Sequence, residues 1–267
     1  MSRNQPGPRF IFHGNAMPFG GRIEAINENL QPELIKGPPA AALPVTGGWS
    51  VGSGRGGHHR DWFHWGASIA DCKGEEVDPN FYRTTVISQL ADLKAINDPN
   101  VFEADFLRLR IISNHDGPDK AAEITPVETI FDGIRLNRQT VAVHVDLDLA
   151  SFPNIESFEA EYKRDPHFFN KYRQRLGLAE GQAKFGDDLP RTRGGFVPLS
   201  FVSQLSFGDD VIPGNKLSLK GLGNVFFGEV LDKPGNRRVT MVRLEFGCAV
   251  KASASAGGGD PNGSWTN

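Results

Sequence analysis

The chain has 267 residues, with 29 Lys and Arg against 32 Asp and Glu. The resulting net charge of −3 gives no general attraction to nucleic acid or anionic lipid. Hydrophobic residues make up 39%, including 19 Phe, which suffices for a core, and 31 Gly with 18 Pro stay below the disordered regime. Two cysteines, Cys72 and Cys248, are too few for a disulfide framework or a four-thiolate zinc site. At most they form one bridge. No run approaches the ~18 apolar residues of a membrane span, and the opening residues lack the apolar stretch of a signal peptide. A soluble cytoplasmic protein with no membrane partner is the expectation.

In chain order, RFIFHG near the start reads as a first strand. Residues 37–74 are dense in Gly, Pro and Ala, and an irregular, extended segment is expected there. Residues 84–96 are ambiguous. Val86, Leu90 and Leu93 suit a helix, whereas the β-branched TTVI suits a strand, and the β-rich surroundings favour the strand. In 102–113, Leu107, Leu109 and Ile111 alternate with Arg108 and Arg110. Asn114-His115-Asp116-Gly117-Pro118 follows as a turn.

Residues 141–149 alternate with period two. Val141, Val143, Val145, Leu147 and Leu149 face one way, and His144, Asp146 and Asp148 the other. The segment 154–177 differs, with Phe158 and Tyr162, then Phe169, Tyr172 and Leu176, at helical spacing. Asp165-Pro166 is an N-cap followed by a first helical residue, and Gly177 is a stop, so two short helices packed on the sheet are expected. Residues 197–207 read as one strand with Val197, Leu199, Phe201, Leu205 and Phe207 inward. FFGEVLD and RRVTMVRLEF flank Pro234-Gly235 as a hairpin. Residues 251–267 form a low-complexity tail. The expected fold is mostly β, an antiparallel β-sandwich or jelly-roll-like barrel. It comprises one domain over 1–250 with a helical insertion.

Catalytic motifs lack their structural context. Gly48-Trp49-Ser50-Val51-Gly52 matches a nucleophile elbow, but no helix can start in the following GSGRGGHHR. Gly52-x-Gly54-x-x-Gly57 lacks a βαβ unit. The acidic pairs Asp187-Asp188 and Asp209-Asp210 read as solvated loops, and Arg237, Arg238 and Arg243 as cross-strand partners of Glu229 and Glu245.

Two constellations remain. The first is His144, Asp146 and Asp148 on one strand face, which offers His-x-Asp ligands for one divalent metal, as in non-haem iron oxygenases or metal-dependent hydrolases. A second histidine ligand would have to come from a loop. The other is the segment Arg55 to Trp65, where His58, His59, Arg60, Trp62, Phe63, His64 and Trp65 crowd together. Such residues suit a subunit contact, a metal site or base stacking. The reading that follows is a non-catalytic structural or interaction protein. It carries no cofactor and self-assembles as a homo-oligomer through its Gly/Pro-rich arms and this aromatic segment. A metal-dependent enzyme is the alternative, and a carbohydrate or nucleic-acid binding module a further one.

Overall fold

A computed structural model describes residues 9–24, 32–178, 184–247 and 251–266. The chain is mostly β, as expected, with two large antiparallel sheets in a sandwich-like arrangement. Its strands in chain order are β1 (Phe10–Ile23), β2 (Glu33–Ile35), β3 (Ala41–Ala42), β4 (Gly48–Gly54), β5 (Gly57–His59), β6 (Phe63–Trp65), β7 (Ser68–Asp78), β8 (Phe81–Asn97) and β9 (Asn100–Asp116). They continue with β10 (Glu123–Asp132), β11 (Arg135–Leu136), β12 (Gln139–Val145), β13 (Val197–Ser200), β14 (Val202–Phe207), β15 (Asp210–Pro213), β16 (Lys216–Leu219), β17 (Gly223–Lys233), β18 (Asn236–Phe246) and β19 (Ala252–Trp265). Between β12 and β13 lie the helices α1 (Ile155–Arg164) and α2 (Pro166–Arg175).

The smaller sheet runs β13-β17-β18-β19-β1-β2, with β16 beside β17 and β3 beside β1. The larger runs β15-β14-β12-β11-β9-β8-β6-β5, with β10 also on β9, and β7 on β8 carrying β4. Its spine is the β8–β9 hairpin, two strands of 17 residues each. Both strands change the parity that faces inward at the same level. Thr84, Val86, Ser88 and Leu90 are buried before Asp92, and Leu93, Ala95 and Asn97 after it. On β9 the change falls at Asp105–Phe106. Asp92 takes φ +52°, and the kink lets β7 and β6 share one edge of β8. The helix-compatible spacing of Val86, Leu90 and Leu93 is this kink in a strand.

The tail expected after residue 250 is instead the centre of the smaller sheet. β19 pairs with β1 along nearly its whole length and with β18 on its other side. Its small residues are imposed by large side chains of the facing sheet and of the adjacent β1. A Cβ on Gly259 would sit 3.0 Å from both Ile111 and Val86, and one on Gly263 would sit 2.1 Å from the Phe10 ring. Composition suggests disorder here, but the large neighbours dictate the glycines.

Residues 37–74 are likewise corrected from irregular to β3 through β7. Glycine is needed in β4 because Pro38–Ala40 passes beneath it, and a Cβ on Gly52 would lie 2.7 Å from the Ala40 carbonyl oxygen. The single strand expected over 197–207 is two strands in different sheets. Phe201 lies between them, donating its amide to the Gly228 carbonyl (3.1 Å) and accepting from Asp146 N (2.8 Å). It thereby ties one sheet to the other.

The helices form as expected. Asn154 caps α1 through the Ser157 amide (2.9 Å), and Asp165 caps α2 through the His167 amide (2.8 Å). Pro166 opens α2, and Gly177 takes φ +61° after it. Phe158, Tyr162, Phe169 and Tyr172 are buried, and the Tyr172 hydroxyl donates to the Pro198 carbonyl of β13. The β17–β18 hairpin turns through Pro234-Gly235, Gly235 supplying φ +69°. Among the described residues no helix is long and apolar enough to cross a membrane.

Candidate functional site

The three-residue acidic face expected around His144 does not form. Strand β12 ends at Val145, and Leu147–Leu149 turns into a 3₁₀ helix capped by the Asp146 side chain. Alternation therefore stops where the strand stops. His144 is exposed, with Nε2 3.0 Å from Ser206 Oγ. Asp146 and Asp148 face α2, where both carboxylates contact Lys171 and the buried Arg175, the Asp148–Arg175 contact being 2.6 Å. Arg175 also donates to the Asp146 carbonyl at 2.7 Å. Two acids closed by two cations pin α2 to the end of the sheet, with no ligand face left open. Among the described residues no group of three or more His, Cys, Asp or Glu is arranged to hold a metal ion.

The segment 58–65 is a hairpin of β5 and β6, and its seven expected contact residues split by face. Phe63 and Trp65 point inward. Phe63 stacks on Phe246 at 5.2 Å and leans on Phe19 at 5.6 Å, and Trp65 packs on Phe19 at 5.3 Å. They are core residues, not contact residues, because period two sends alternate side chains of this edge hairpin into the sandwich. Trp62 packs partly against the core, with the Arg60 guanidinium 5.2 Å over its ring. His59 and Arg60 both reach Glu33, at 3.2 and 2.5 Å. Only His58 and His64 stand together on the outward side, directly opposite one another. Their ring centroids are 6.0 Å apart.

The open surface lies elsewhere, on the outer face of the larger sheet. Directly paired residues share a face, so the register defines it row by row. One row is Val51, Asp71, Ile87, Arg110 and Glu128 across β4, β7, β8, β9 and β10. The next is Trp49, Lys73, Thr85, Ile112 and Thr125, and the third is Ser53, Ile69, Gln89, Arg108 and Ile130. Trp49 is 68% exposed although its indole N–H donates to Asp71 (2.6 Å). Val51, Ile69, Val127 and Ile130 are also exposed. Arg108 meets Glu128 at 3.1 Å, and among the described residues no hydrogen bond reaches the buried Nε of Arg110. Two of its five strands, β4 and most of β7, lie within the Gly/Pro-rich residues 37–74, whose composition masks their alternation. Val51-Gly52-Ser53 and Ile69-Ala70-Asp71-Cys72-Lys73 carried the alternating signal.

Two further groups with reactive chemistry are sealed inside. His115 Nε2 lies 2.7 Å from Ser113 Oγ, but both residues are buried and the His115 ring packs on Phe10 at 4.8 Å. Burial holds the imidazole down at about 4, so it stays neutral. Cys72 on β7 is a free thiol with Sγ 3.6 Å from the Ala41 carbonyl oxygen, and burial, with Asp71 adding to it, pushes its pKa up to about 12. The second cysteine, Cys248, lies outside the described residues. Ser50 sits within strand β4 and is followed by more strand, so the elbow motif has no elbow.

The model of one protein family, described as a domain of unknown function (DUF8256), matches residues 10–232. No curated protein and no solved structure matches the chain.

Proposed function

The chain belongs to the DUF8256 family, and from that premise we propose that it is a non-catalytic structural protein that associates with a second copy of itself through the outer face of its larger sheet. The observation that carries this reading is the five-strand face bearing Trp49, Val51, Ile69, Ile87, Ile112 and Ile130. On this face exposed Trp49, Val51, Ile69 and Ile130 and half-buried Ile87 and Ile112 are interleaved with Asp71, Lys73, Arg108, Arg110 and Glu128, the mixed apolar and charged composition of a protein contact surface. Five strands at ~4.8 Å and about five residues at ~3.3 Å make a face of roughly 400 Å² in projection.

Charge selects a second copy as the occupant. With a two-fold axis along β8, β7 of one copy lies over β9 of the other. Asp71 then meets Arg110, the opposite charge of the same row. Trp49 and Val51 of β4 fall on the β10 strip of the partner. An isologous contact makes every such pairing twice.

Sedimentation equilibrium and native mass spectrometry test this. The expected species is twice the 29.2 kDa of one chain. Asp71→Arg and Arg110→Asp each dissociate it, and the double exchange restores it. A monomer at high micromolar concentration, or a dimer indifferent to both single exchanges, refutes the reading.

A further inference from the structure

We propose that the β5–β6 hairpin carries a divalent transition-metal site with His58 and His64 as its two protein ligands, water completing the coordination. This stands apart from the self-association, which uses β4 and β7–β10. His58 and His64 occupy directly opposed positions on antiparallel strands, so both side chains leave the same face of the hairpin. Their rings lie within 25° of parallel. Among the described residues neither ring makes a hydrogen bond or ion pair. By contrast, His59 meets Glu33, His115 meets Ser113, and His144 meets Ser206. Four ring nitrogens are thus uncommitted at one place.

The hairpin beneath them is rigid. Phe63 and Trp65 are locked in the core, and β6 pairs with Ala95 and Lys94 of β8. Lys94, beside His64 in the register, is directed to Glu103 at 3.6 Å. Two imidazoles bound to a tetrahedral ion at ~2.0–2.1 Å place their centroids roughly 5 Å apart. Binding requires exposed His58 and half-buried His64 to rotate out of their near-parallel stacking, closing the 6.0 Å and turning one ring nitrogen of each towards a common ion. Imidazole pairs select zinc, copper or nickel over calcium or magnesium, whose ligands are oxygens.

Titration of the full chain with zinc chloride, followed by calorimetry, and electron paramagnetic resonance of the copper-loaded chain test the proposal. Expected are one saturable zinc per chain and a copper signal with two imidazole nitrogens. His58→Ala and His64→Ala should each weaken binding about tenfold or more and leave one nitrogen in the signal. His167→Ala on α2 should change neither. His58→Asn and His64→Gln keep polar side chains on the hairpin and repeat the comparison should an alanine variant fold poorly. Absence of saturable zinc binding, or binding undiminished in the His58 and His64 variants, overturns it.

Discussion

Lowering the pH should destabilise this fold through His115, beside smaller exposed contributions from Glu33 and Asp105. Its ring is only 4% exposed, on the inner face of β9 against Phe10 and Ser113. Burial alone depresses its pKa to about 4. In the unfolded chain a histidine protonates near 6.5, so between those values the unfolded state binds a proton that the native state refuses. The favourable contribution is therefore complete above pH ~6.5, falls as the pH drops, and levels off below ~4. At 1.36 kcal/mol per unit, the loss across the window is about 3 kcal/mol. Asp232 and Asp260 are shifted up by burial and act in the opposite sense, so the wild-type curve alone is not diagnostic. The measurement is urea unfolding at several pH values from 7 to 4 for the wild type and for His115→Gln, which keeps a polar partner for Ser113 but does not titrate. The stability difference between the two should change by about 3 kcal/mol over that range, the wild type losing more. Parallel curves would refute the argument.

Arg237 and Gly259 give two further tests by chemical denaturation. Arg237 is fully buried and donates to the carbonyls of Ile124, Ala150 (2.9 Å) and Phe152 (3.0 Å) and to Asp232 (2.5 Å). Arg237→Met should cost about 3–5 kcal/mol by stranding the Asp232 carboxylate, and adding Asp232→Leu should recover a large part of it. An unchanged midpoint in the single variant would contradict the packing described. Gly259→Val overfills the space under Ile111 and Val86 and should cost ~1–3 kcal/mol, whereas Ser264→Val, on an exposed position of the same strand, should be nearly neutral.

Much of the architecture was legible because period and punctuation agree. The α1–α2 break at Asp165-Pro166 and the Pro234-Gly235 hairpin each carry their own local chemistry, and the structure follows it. Where a side chain's identity is set by a distant neighbour, the sequence misleads. The β19 glycines look like a disordered tail because Val86, Ile111 and Phe10, which enforce them, lie far away in the chain. The β4 glycines look like a loop for the same reason, with Ala40 beneath them. Alternation also carries no stop signal of its own. His144 to Asp148 continues the pattern past the end of β12, and residues 197–207 continue it across a change of sheet at Phe201. The open face of the larger sheet needed the register of five strands, which no local window contains.

The pairing of β1 with β19 places Phe10 opposite Trp265, and Arg9 N bonds Thr266 Oγ1 across 257 positions. Two segments at opposite ends of this sequence thus form adjacent, central strands of one sheet. Loop-closure entropy must be overcome before that contact returns any energy, so the fold belongs to the slow, high-contact-order class. During synthesis β1 waits with one long side unpaired until residue 265 has left the ribosome. For that interval the nascent chain presents an open strand edge, the feature most prone to pairing with the wrong molecule.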